Sequence, residues 1–166
     1  CEINYYHIQS ANHTQIRPLN SQANELVAED LEKIIVNYVH DLLLSNKRVT
    51  VKIDNEDEYL IFKIKDFNCI AMHGQQFRVG KKNASISDLS QLHRIFFDYA
   101  FFGHDHSPSN QTVAAGAEND CEVFIAGSVQ GACPFADKIK KSSKASIVIT
   151  KFTDNGITGT EKLILN

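Results

Sequence analysis

Tryptophan is absent from this sequence, methionine occurs once, at Met72, and only three prolines fall in 166 residues. So little proline, with only eight glycines, excludes collagen-like, Pro-rich and Gly-rich linker chains. No apolar run approaches the roughly 18 to 20 residues a membrane helix needs, and no charged segment followed by an apolar one opens the chain. A membrane partner is therefore not expected. A basic excess is lacking too: 17 Lys and Arg stand against 20 Asp and Glu, a net charge of −3. That balance gives no long-range field for a nucleic acid, so any polyanion must be held locally. The four cysteines, Cys1, Cys69, Cys121 and Cys133, form no CxxC pair and no regular spacing. Neither a zinc knuckle nor a disulfide framework is signalled, and reduced thiols in a cytoplasmic protein are the expectation.

What is present is an ordinary globular composition, 43% apolar and 22% charged. At this length a core closes without disulfides, and a single domain over residues 1–166 is the expectation. The chain opens on Cys1 and has no early methionine. Either a segment precedes it or Cys1 is a lipid-bearing first residue. The strand-like alternation of Ile3, Tyr5, Tyr6 and Ile8 favours a preceding segment over a polar tether.

Residues 3–8 read as a strand and residues 9–24, rich in Ser, Asn, Gln and Thr, as a loop. From Asn24 to Leu44, Val27, Leu31, Ile34, Ile35, Tyr38, Val39, Leu42 and Leu43 recur at three and four, which predicts a helix with that face on a core. Val49 to Ile53 and Tyr59 to Ile64 alternate on either side of an acidic tip and predict a β-hairpin. Phe67 to Met72 is a short apolar run, expected to be a strand buried on both faces. Ser87 to Phe97 reads as a helix capped by Ser87, with Leu89, Leu92, Ile95 and Phe96 on one side, and Tyr99 to Phe102 as a second buried strand. Val123 to Ala126, Ser146 to Phe152 and Lys162 to Leu165 read as further strands, with a hairpin turn at Asp154-Asn155-Gly156.

Strand, helix, strand from Phe67 to Phe102 is a crossover unit, and crossover units pair their strands in parallel. Parallel strands end at the same edge, where α/β proteins build their ligand sites. His73 follows the first strand and His104 the second, so chain order alone brings them together. An extended Gly103-His104-Asp105-His106 would put His104 and His106 on one face and Asp105 on the other. Gly74 and Gly103 flank the imidazoles and allow backbone turns. Three imidazoles around one pocket suit zinc, manganese or iron. His7, His40 and His93, each alone on its element, are expected to be satisfied structural residues.

The ordered set Asn12-His13, His73-Gly74 and Gly103-His104-Asp105-His106 resembles the last three motifs of the calcineurin-like metallophosphoesterases. The loop resembles that of the phage and prophage members, which are related to DNA-repair exonucleases. The resemblance implies an α/β fold, a partial metallophosphoesterase sandwich of mixed β-sheets with flanking helices. It implies that Asn12, His73 and His104 ligate one metal of a pair and His106 the other, manganese foremost, with zinc and iron as alternatives. It implies that His13 faces the phosphate and protonates the leaving oxygen, with Thr14, Gln15 and Arg17 near the substrate. The family's earlier motifs, Asp-x-His and Gly-Asp-x-x-Asp, are absent. The chain therefore reads as the C-terminal part of such a domain, inactive alone, with weak or incomplete metal occupancy because the carboxylate ligands are missing.

Three functions follow as expectations. One is a dinuclear phosphodiesterase or nuclease-like hydrolase acting on a phosphate ester or nucleic acid, active in a longer parent. Another is a non-catalytic interaction domain on the same scaffold. The third is a mononuclear site of His73, His104 and His106 with an open position. Strand edges left unpaired by truncation would favour a homodimer.

Overall fold

The computed structural model describes residues 2–8, 14, 16, 18–20, 30–54, 59–75, 82–105, 107–114, 120–132, 134–138, 140 and 143–165, with the backbone alone at 54, 82–85, 114 and 135. It is an α/β chain that divides into two units, Cys1–Leu60 and Ile61–Asn166.

In the first unit, the alternating residues Ile3–Ile8 form β1, Glu32–Leu43 form helix α1 and Val49–Asp54 form β2. β2 pairs in parallel with β1, Ile3 opposite Val49 and Ile8 opposite Asp54, so the two strands and α1 make a crossover unit. Asp30 Oδ1 accepts the Glu32 amide at 2.9 Å and satisfies one of the unpaired N–H groups at the start of α1. The expected helix from residue 24 lies outside the described residues before Asp30. Its expected core face is also corrected. Val36 is the buried residue of α1, whereas Leu31, Ile34, Ile35, Tyr38 and Leu42 are exposed.

The expected hairpin of residues 49–64 does not form. Tyr59–Ile64 is β3, and its neighbour is β4, Phe67–Met72, not β2. The two-residue connection Lys65-Asp66 makes this tight turn without glycine or asparagine, Lys65 taking φ 54° in the left-handed region. β3 opens a mixed sheet of order β3-β4-β5-β7-β6, with β5 at Tyr99–Phe102, β6 at Ser109–Ala114 and β7 at Asp120–Ile125. β4, β5 and β7 run parallel, and β6 pairs antiparallel with β7. Helix α2, Lys82–His93, is the crossover between β4 and β5. It starts before Ser87, which is therefore interior and not a cap. Its buried positions include Ile86 and Ser90, while Leu92 and Phe96 are exposed.

Register sorts the side chains of the sheet. Cys69 lies opposite Tyr99, and Phe101 opposite Phe124. These residues pack with Phe62, Phe67, Phe152 and Ile157, Phe67 and Phe152 each edge-on or tilted to Tyr99 at 5.4 and 5.1 Å between ring centroids. Ile70, Met72, Ala100, Phe102, Val123 and Ile125, on the alternate face, are buried as well, as strands covered on both sides require. Phe152 and Ile157 belong to the hairpin of β8, Ser146–Thr153, and β9, Gly156–Ile164, which covers the aromatic face; a short helix α3, Pro134–Lys138, precedes it. Among the described residues no helix is long and apolar enough to cross a membrane.

Candidate functional site

The parallel ladder continues past the strand ends. Gly103 donates its amide to the Met72 carbonyl at 3.2 Å, and Ala126 to Phe102 at 2.7 Å. This continuation carries His73 and His104 out of the sheet side by side. His104 Nδ1 lies 3.2 Å from His73 Nε2, the rings 5.1 Å apart and nearly perpendicular at 74°. Both are half-buried.

The backbone around the pair is specialised, in a different way from the one its glycines suggest. Gly74 takes φ 89°, and a Cβ there would stand 3.0 Å from the Phe102 ring. At Gly103 the need is space: a Cβ would meet His73 Nδ1 at 3.3 Å. The left-handed residue beside it is His104 itself, at φ 65°. The segment is therefore bent, not extended, with Asp105 N–H donating to Gly103 O at 2.8 Å and Ser107 N–H to Asp105 O at 2.7 Å. A non-glycine residue held there costs about 1 kcal/mol or more, which the surrounding contacts must offset. Two residues beyond His73, Gln75 Oε1 is buried without a hydrogen-bond partner among the described residues. Nothing in the sequence pattern marked it.

The pair fits a transition-metal cation in one respect. Two imidazole nitrogens sharing a cation at about 2.1 Å each, with an angle of about 100° between them, stand about 3.2 Å apart. That is the separation found. Among the described residues no group of three or more His, Cys, Asp and Glu side chains is gathered for a metal. Asn12, His13, Arg17 and His106 lie outside the described residues.

A second polar cluster lies within the first unit. Tyr5 Oη bonds His7 Nδ1 at 2.7 Å, and His7 Nε2 meets Glu32 Oε1 at 2.6 Å. Thr14 Oγ1 donates to Glu32 Oε2 at 3.0 Å, and Thr14 O accepts the Leu31 amide at 3.1 Å. Burial and the Glu32 carboxylate push the Tyr5 phenol above its ordinary pKa. With His7 Nε2–H donating to Glu32 and His7 Nδ1 accepting from Tyr5, every group in this chain of bonds is satisfied. The Thr14 hydroxyl, expected near substrate, is thus engaged in tying the loop to α1. His7 is the satisfied structural histidine that its place on a strand suggests.

No family model matches the sequence. It is 39% identical over 144 residues to the SPbeta prophage-derived uncharacterized protein YonJ of Bacillus subtilis (strain 168), a match covering 87% of this chain and 35% of that protein. The chain thus spans about a third of the length of that relative. Among solved structures, wild-type Vps29 of Entamoeba histolytica complexed with zinc is similar at TM-score 0.47 and 18% identity, over 99% of this chain and 98% of that one. A novel archaeal phosphodiesterase gives TM-score 0.49 and 15% identity over 82% and 64%. A predicted phosphoesterase of Streptococcus pneumoniae TIGR4 gives 0.39 and 12% over 98% and 96%.

Proposed function

We propose that the chain is the C-terminal part of a calcineurin-like metallophosphoesterase, of phage or prophage type, acting on phosphodiesters or nucleic acid in a longer parent. The observation that carries this reading is the His73–His104 pair at the carboxyl ends of two adjacent parallel strands, with facing nitrogens at the spacing of two ligands on one cation. The order of the Asn-His, His-Gly and Gly-His-x-His motifs supports it.

His73 Nε2 and His104 Nδ1 are the atoms that would hold the cation, manganese in the first place. Each must be unprotonated to do so, and their mutual hydrogen bond would be given up. A divalent cation, when bound, supplies Lewis-acid polarisation of a phosphoryl oxygen and acidifies water. The buried Gln75 Oε1, without a partner among the described residues, is a further acceptor at this end of the sheet. Asn12, His13, Arg17 and His106 keep the roles the family resemblance gives them: Asn12 and His106 as ligands, His13 as donor of a proton to the leaving oxygen, and Arg17 as a phosphate contact.

The test is a calorimetric titration of the 166-residue chain with Mn(II), beside a His73→Ala/His104→Ala double variant that remains folded by circular dichroism. Saturable binding that weakens at least tenfold in the variant is expected. Equal heats in both proteins would overturn the metal reading and favour an interaction domain on this scaffold. Hydrolysis of bis(p-nitrophenyl) phosphate is expected only from the longer parent.

A further inference from the structure

Helix α2 ends in a full Schellman motif. The Ile95 amide donates to Ser90 O at 3.1 Å and the Arg94 amide to Gln91 O at 3.4 Å, with Arg94 left-handed at φ 54°. Glycine is the residue that takes this place with least strain. An arginine here breaks the local rule, and its guanidinium makes no ion pair among the described residues.

The same turn bounds a cavity of about 430 Å³ lined by Ser87, Ser90, Gln91, Arg94, Ile95 and Phe96. Ser87, Ser90 and Gln91 share one face of α2, at helical spacing of three and four from Ser87, and Arg94 follows at the turn that ends the helix. Ile95 and Phe96 form the wall as the chain returns toward β5. Asn68 Nδ2, donating to Phe96 O at 3.0 Å, fixes that wall. Ser90 is 7% exposed, yet its Oγ has no hydrogen-bond partner among the described residues. Buried hydroxyls are seldom left so. The cavity lies at the entry to β5, the opposite end of that strand from His104, and is independent of the metal reading.

We infer that this cavity binds a small amphipathic carboxylate, its apolar body against Ile95 and Phe96 and its head group on the Arg94 guanidinium. A planar guanidinium matches a planar carboxylate through two parallel hydrogen bonds. One cation compensates one negative charge, so a phosphate dianion would carry an uncompensated charge into a mostly apolar cavity. The unused Ser90 hydroxyl is a second donor for the head group.

The experiment follows amide chemical shifts of the 166-residue chain during titration with octanoate, octyl phosphate and octylamine. Octanoate is expected to give saturable shifts at Ser90, Gln91 and residues 94–96, octyl phosphate weaker ones and octylamine none. Arg94→Gln should weaken octanoate at least about tenfold, as loss of a charge-assisted hydrogen bond requires. Arg94→Gly should abolish binding while raising the melting temperature, which separates lost recognition from lost folding. Absence of saturable shifts, shifts centred elsewhere, or affinity within twofold of wild type in Arg94→Gln would each overturn the inference.

Discussion

Cys69 on β4 and Cys121 on β7, with β5 between them in the central sheet, have no exposed surface, and burial is the main force on both thiols. It pushes Cys69 up to about 11, helped by Asp98 and opposed by a hydrogen bond from the Ile64 backbone. It pushes Cys121 up to about 12, with Asp98, Cys69 and Glu122 adding repulsion. In the unfolded chain these thiols ionise near 9. A thiol kept neutral by the fold adds stability in full below pH 9, and the addition is lost as pH rises through 11 to 12. The urea midpoint is therefore expected to hold from pH 7 to 8.5 and to fall steeply from 9 to 11, with a shallower fall in Cys121→Ala. Neither thiol should react with iodoacetamide at pH 8 until urea unfolds the chain. The pairing of His73 with His104 was legible at this scale, because it follows from chain order. The Tyr5–His7–Glu32–Thr14 cluster was not, since its bonded partners lie up to 25 positions apart on a strand, a loop and a helix start.

Among the elements, α1 carries apolar residues around so much of its circumference that periodicity could not choose the buried side. Val36, flanked by exposed Ile35 and the asparagine at 37, was passed over in favour of the longer stripe. Val36→Ala should cost about 2 kcal/mol in urea denaturation, while Ile34→Glu and Leu42→Glu should change stability by no more than about 0.5 kcal/mol. If the charged substitutions proved the costlier, the assigned orientation of α1 would be wrong. The β8–β9 turn was readable because Asp154-Asn155-Gly156 is a hairpin signal. Its glycine has a further duty: at φ 106°, a Cβ on Gly156 would stand 2.7 Å from the Tyr99 hydroxyl, which accepts the Ile157 amide at 3.2 Å. Gly156→Ala should lower stability by about 1 to 3 kcal/mol in thermal or urea unfolding, through backbone strain and loss of that bond. The turn of β3 into β4 was missed because Lys65-Asp66 contains no turn-forming signature. Lys65 instead pairs with Asp154, holding that exposed carboxyl below its ordinary pKa.

Across the whole molecule, the α/β class and the parallel pair β4–β5 were readable from buried strands around a crossover. β6 was not, because Ser109–Ala114 is mostly polar and buries chiefly Val113. That polarity suits an edge, where it blunts pairing with other chains. The sheet order places β7 between β5 and β6, although β6 comes first in the chain. On the ribosome, β6 emerges with no partner, and β5 keeps an open apolar edge from residue 103 until Ile125 has been added. At about 5–20 residues per second this interval lasts about 1–5 s. Those seconds of synthesis, rather than any property of the finished fold, are when this protein is most exposed to pairing with a neighbouring nascent chain.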